Sequence, residues 1–195
     1  MFDVSEPNRL QRRGFTLEWI TLGWNAVGVI VLAVLAYRSA SVALLGFGLD
    51  SLIEIGASIV VIWELSGSGE IRQRRALRMI GVAFLALAAY LLVESVIALM
   101  TGHHASPTYL GIAWTAVTAA VMFLLSRGKT HTGRALGNPV LVAEGRVTFV
   151  DGLLAVAVLL GIALDLVFGW WWADPIAGLV IVYYASREAL SIFRS

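Results

Sequence analysis

Asp50-Ser51-Leu52-Ile53-Glu54 lies inside the apolar run Ser41–Ile62. Acids four residues apart fall on one face of a helix, one turn from each other. The run has the length of a membrane span, which needs about 20 apolar residues. Ionisable side chains at membrane depth are costly, so they face a bundle interior or a wet cavity and mark a pathway. A second run, Val140–Leu164, carries Asp151 near its middle and Glu144 seven residues earlier. Seven residues is about two helical turns, so these two acids also share a face. The two helices are expected to face each other and build a cation site from Asp50, Glu54, Asp151 and Glu144.

Composition sets the solvent. Of 195 residues, 59% are hydrophobic and only 14% charged, with mean hydropathy +0.84; a soluble domain has roughly 25% charged residues. The chain is therefore expected to be an all-α, multi-pass membrane protein of the cell membrane, the cytoplasmic membrane if bacterial. A net charge of +1 with no basic tract gives no reason to expect nucleic acid as a partner. Without cysteine there is neither thiolate metal ligation nor a disulfide. The first apolar run is too long for a signal-peptide core and reads as a retained helix.

Six apolar runs follow one another, at about 15–37, 41–63, 78–100, 107–126, 140–165 and 170–192. Short connections join them, including Arg127–Pro139, so residues 1–195 read as a single transmembrane domain with no soluble domain. Lys and Arg concentrate on one side. That side has Arg9, Arg12 and Arg13, then Arg72, Arg74, Arg75 and Arg78, then Arg127, Lys129 and Arg134, and finally Arg187 and Arg194. Arg38 alone falls on the other side, and Arg146 lies inside the fifth run. Six spans with both termini cytosolic are predicted. Trp170-Trp171-Trp172 belongs to the outer aromatic belt, with Trp19 and Trp63 near the inner one. The second and fifth helices run in opposite directions and both carry acid at mid-depth. A 3+3 inverted-repeat-like bundle follows from this.

Carboxylate oxygens are hard ligands that suit divalent ions. In an empty site such acids cannot all stay ionised, so protons and metal compete for them, which is the basis of antiport. The plainer alternative is that the acids are protonated or hydrogen-bonded packing residues. Glu18 reads as an acid snorkelling to the cytosolic interface, and Asn25 as a helix–helix contact. Glu94 is either an exit-side acid or a residue at a wet interface. Arg146 needs an ion-pair partner on another helix. His103 and His104 read as a solvated loop pair.

The lead-in Ser39-Ala-Ser-Val-Ala-Leu-Leu-Gly-Phe-Gly-Leu-Asp50-Ser-Leu-Ile-Glu54 resembles the second-helix signature of the cation diffusion facilitators. Asn138-Pro-Val-Leu-Val-Ala-Glu144-Gly-Arg-Val-Thr-Phe-Val-Asp151 is similar to their fifth-helix signature, Asp174-Pro175 to the start of their sixth helix, and Glu94 in Val-Glu-Ser-Val-Ile to their third. The resemblance implies a six-helix, dimeric exporter of divalent metal ions, usually driven by protons. Val147 stands where the family has a fifth-helix ligand, and Glu54 replaces a shorter Asp. With Glu144 as a fourth oxygen donor, the all-carboxylate set weakens the case for Zn and leans toward Mn or Fe, with the choice among Mn, Fe, Zn, Co and Cd left open. The resemblance is to the transmembrane domain without the family's C-terminal cytosolic domain, so a homodimer would be held by membrane helices. The expected function is divalent metal/proton antiport toward the outside, with lipid, metal ion and protons as partners. No cofactor is expected beyond the transported cation. Two other readings compete: a transport-inactive relative serving as an assembly or regulatory subunit, and an intramembrane aspartyl protease using Asp50 and Asp151.

Overall fold

The computed structural model describes residues 5–39, 42–67, 69–102 and 109–194. These residues form six helices and no strand: α1 (Ser5–Ser39), α2 (Val42–Leu65), α3 (Glu70–Thr101), α4 (Tyr109–Leu136), α5 (Pro139–Phe168) and α6 (Ala173–Arg194). Helices follow from the apolar runs because, away from water, a backbone must satisfy its own N–H and C=O groups. Among the described residues three stretches are long and apolar enough to cross a membrane: Asn8–Leu35, Glu70–Thr101 and Tyr109–Leu136. The outward faces are apolar: Ile30 on α1, Leu92 on α3, Leu124 on α4, Leu160 on α5 and Val180 on α6 are exposed, while glutamate, aspartate and lysine are buried. That distribution is the reverse of a soluble protein's and fits a hydrocarbon surround. His103 and His104 lie outside the described residues.

Two helices run well past their apolar cores. α1 takes in the polar residues from Ser5, and Gln11 Nε2 donates to the Leu65 carbonyl at 2.8 Å. α4 continues through Arg127-Gly128-Lys129-Thr130-His131-Thr132-Gly133-Arg134 to Leu136, where the sequence reading expects a connection over Arg127–Pro139. No proline interrupts that segment, and its polar side chains are sorted by face. Arg127, His131 and Arg134 are exposed, whereas Ser126, Lys129, Thr132 and Gly133 are buried. The turn shrinks to Gly137-Asn138. Gly137 takes the left-handed conformation at φ 64°. Its N–H donates to the Arg134 carbonyl, and the Asn138 N–H donates to Gly133; this is a Schellman stop. Asn138 Oδ1 then accepts from the Leu141 N–H at 2.9 Å, capping α5, with Pro139 at its first position.

The helices fall into two groups. α1, α2, α5 and α4 form a closed ring, each touching the next. α3 and α6 pair with each other and lie against α2 and α5. Exchanging the first three helices for the last three maps α1·α2 onto α4·α5, α2·α3 onto α5·α6, and α3·α6 onto itself. The α3–α6 seam is apolar, built on Ile80, Phe84, Leu87, Leu91, Ile181, Ala185 and Ala189. The interior of the ring is where the polar side chains converge. There α4 and α5 approach closely because α5 has Gly145: a Cβ at that position would lie 3.1 Å from the Thr130 backbone nitrogen and 2.6 Å from its Oγ1. Ser126 Oγ donates to the Gly145 carbonyl at 2.6 Å. Trp24 of α1 stacks on Trp114 of α4 with ring centroids 5.2 Å apart.

Candidate functional site

The ring encloses a charged cluster drawn from all four of its helices. Lys129 from α4 is fully buried, as are Glu18 from α1 and Glu144 from α5; Glu54 from α2 is 1% exposed. Lys129 Nζ lies 2.5 Å from Glu144 Oε1, 3.2 Å from Glu18 Oε2 and 3.9 Å from Glu54 Oε1. Thr148, one turn along α5 from Glu144, completes the group. Its hydroxyl accepts from Lys129 Nζ at 3.1 Å and donates to Glu54 Oε1 at 2.5 Å. Ser58, one turn beyond Glu54, donates to Glu144 Oε1 at 3.4 Å. A buried ammonium needs such partners, because an unpaired charge in this medium costs several kcal/mol or about that.

A second, smaller group lies one turn back from Glu54 along α2 and one turn beyond Thr148 along α5. Asp50 and Asp151, each 2% exposed, meet side chain to side chain. Glu94 of α3 is near enough to act electrostatically on Asp50. Neither Asp151 oxygen has a protein donor, nor has Asp50 Oδ2, Glu54 Oε2 or Glu144 Oε2. Buried acceptors are rarely left open. Both Glu18 oxygens also lack a hydrogen-bond donor, so among the described residues seven such carboxylate oxygens lie in one interior.

The structure brings the four sequence-predicted ligands into one ring interior, but as two pairs. Glu54 and Glu144 are bridged by Lys129 and Thr148, and Asp50 faces Asp151. Among the described residues no three carboxylate, imidazole or thiol side chains are grouped closely enough to hold a metal ion. Val147 is buried in the apolar core at 1% exposure. Arg146 finds its partner on another helix, in Glu188 Oε2 at 2.7 Å. Asn25 donates from Nδ2 to the Thr21 carbonyl one turn back in α1. Two readings are corrected. Glu18 does not snorkel to an interface; it is sealed inside the ring against Lys129. Lys129 is not a connection residue but the centre of the cluster. The sequence held a signal for this: Gly137-Asn138-Pro139 is a stop, cap and start that carries α4 through Lys129.

The chain matches the cation efflux transmembrane domain over residues 79–195, which takes in Lys129, Glu144, Thr148 and Asp151. It is 28% identical over 171 residues to the magnetosome protein MamB of Magnetospira sp. (strain QH-2), an alignment covering 82% of this chain and 58% of the relative. It is 23% identical over 169 residues to transmembrane protein 163 of Xenopus laevis, covering 80% of this chain and 57% of the relative. The chain thus spans a little under three fifths of the length of these relatives. With its apolar exterior and its acids gathered inside, it is a multi-pass membrane protein, and it belongs to the cation efflux family, the cation diffusion facilitators.

Proposed function

We propose that this protein carries divalent metal cations across the membrane, outward and in exchange for protons, through Asp50, Glu54, Asp151 and Glu144. The observation that carries this reading is the set of buried carboxylate oxygens without a donor inside the four-helix ring. Such oxygens are acceptors awaiting either a proton or a cation. Binding of metal requires them deprotonated, so cargo and protons exchange by mass action. An all-oxygen set favours Mn or Fe(II) over a softer ion. The proposal includes six spans with both termini cytosolic, and a homodimer held by membrane helices. Family membership argues against the protease alternative.

The test is metal-dependent proton movement in proteoliposomes, wild type against Asp151→Ala, across Zn, Mn, Fe(II), Co, Cd and Mg. A signal with one or two metals that disappears in the variant supports the carrier and identifies its cargo. Silence with every metal from folded protein would sink it.

One observation favours a second reading, a transport-inactive relative that serves as an assembly or regulatory subunit. Lys129 already supplies a cation to Glu54 and Glu144. The same proteoliposome experiment separates the two readings, since this one requires silence.

A further inference from the structure

We infer that Lys129 is a tethered cation that competes with the cargo for Glu54 and Glu144, and that Glu18 is the partner it retreats to when cargo binds; this rests on the carrier reading above. Each element packed around the ammonium contributes to the geometry. Nζ has three N–H donors. Nζ donates to Glu144 Oε1 at 2.5 Å and to the Thr148 hydroxyl at 3.1 Å, and it is ion-paired with Glu18 Oε2 at 3.2 Å. Glu54 Oε1, at 3.9 Å, is reached by the charge and hydrogen-bonded by Thr148. The ammonium therefore occupies the space between two of the proposed cargo ligands. Glu18 differs from those two. It comes from α1, outside the α2–α5 contact that aligns Asp50, Glu54, Asp151 and Glu144; its carboxylate ion-pairs with the ammonium and lies beside that of Glu144.

Charge and distance decide which cation prevails. A dication seated about 2.1 Å from a carboxylate oxygen attracts it about three times as strongly as an ammonium near 3 Å in the same medium. Cargo can therefore displace Lys129. Tethering nonetheless holds the ammonium at an effective concentration in the millimolar range or above, about what a short linker gives, so it lowers the apparent affinity for any cation. A monovalent ion, with half the charge, gains little over the ammonium and is excluded. Lys129 would thus act as a positioning and selectivity residue that never touches the cargo. Its alternative partner must remain within reach, which is the role given to Glu18.

The test is equilibrium binding of Mn²⁺ or Zn²⁺ alone to the detergent-purified full chain by titration calorimetry. Lys129→Met is expected to tighten binding at least tenfold, an effect that a merely structural lysine would not give. Glu18→Gln is expected to weaken it at least threefold, because the ammonium loses its retreat and stays on Glu144. In the Lys129→Met background, Glu18→Gln should have no such effect. Should Lys129→Met alone fail to fold, Lys129→Met/Glu18→Gln removes one charge of each sign and is compared with wild type, again expecting tenfold tighter binding. Equal affinity in wild type and the double variant overturns the role of Lys129 and leaves the carrier intact. A silent wild type beside a binding double variant supports Lys129 as the competitor and sinks the carrier. No binding by either overturns both.

Discussion

Single side chains set the chemistry of the ring, and they do so in two ways. Asp50 Oδ2 and both oxygens of Asp151 are acceptors without a protein donor, so neutral amides of the same shape should keep the packing and remove the function. Asp151→Asn is expected to leave expression and melting temperature near wild type while metal-dependent proton flux falls below about a tenth, measured in proteoliposomes. Thr148 does the opposite kind of work. Its one hydroxyl both receives Lys129 and serves Glu54. Thr148→Val preserves the branched shape but leaves a buried donor and a buried acceptor short of a partner. The expected cost is about 1–3 kcal/mol, seen as a lower melting temperature in detergent. The acids were legible in the sequence because an ionised group inside an apolar run stands out whatever the fold. Lys129 and Glu18 were not, since each lies near the end of an apolar run, where charge is the ordinary condition.

At the scale of helices, the α4–α5 hairpin fixes where the lysine sits. Gly145→Ala places a Cβ against the Thr130 backbone, and α4 must move away to relieve it. Overpacking of this kind costs about 1–3 kcal/mol. The shift also carries Lys129 off Glu144, so this variant should lose thermal stability and change metal affinity together; titration calorimetry beside a melting curve would show both. Asn138 caps α5 and donates to Glu64 Oε2 on α2 at 2.8 Å. Asn138→Ala should lower stability by about 1–2 kcal/mol without affecting the mid-ring aspartates. The order of the helices could be read from the apolar runs alone. Their ends could not be read from hydropathy, because α4 continues as a polar but face-sorted helix. Reading the turn chemistry of Gly137-Asn138-Pro139 before the charge count would have placed Arg127, Lys129 and Arg134 on a helix.

For the whole molecule, the division into a polar four-helix ring and an apolar α3–α6 seam was only half legible. The acids of α2 and α5 announce that these helices face each other. Nothing in hydropathy says that α1 and α4 close the ring or that α3 pairs with α6, because those faces are made of small and aliphatic residues common to every span. The proposed six spans would place the termini on one side, and the chain has no cysteine, so single cysteines can be added without background. Cysteines at Arg9 and Arg187 should be labelled by a membrane-impermeant maleimide from the same side of sealed vesicles; opposite labelling would refute an even number of spans.

The pairing of Lys129 with Glu144 spans fifteen residues of sequence and a two-residue turn. That proximity bears on biogenesis. A lone lysine carried into a span raises the cost of insertion, by up to about 3 kcal/mol at its centre and less toward its end, and a lone carboxylate adds its own. As α4 and α5 leave the translocon in succession, their hairpin brings its own counter-charge. The ion pair can close within the hairpin itself, without waiting for it to dock on Glu18 of α1 and Glu54 of α2, and the polar end of α4 enters the lipid already neutralised.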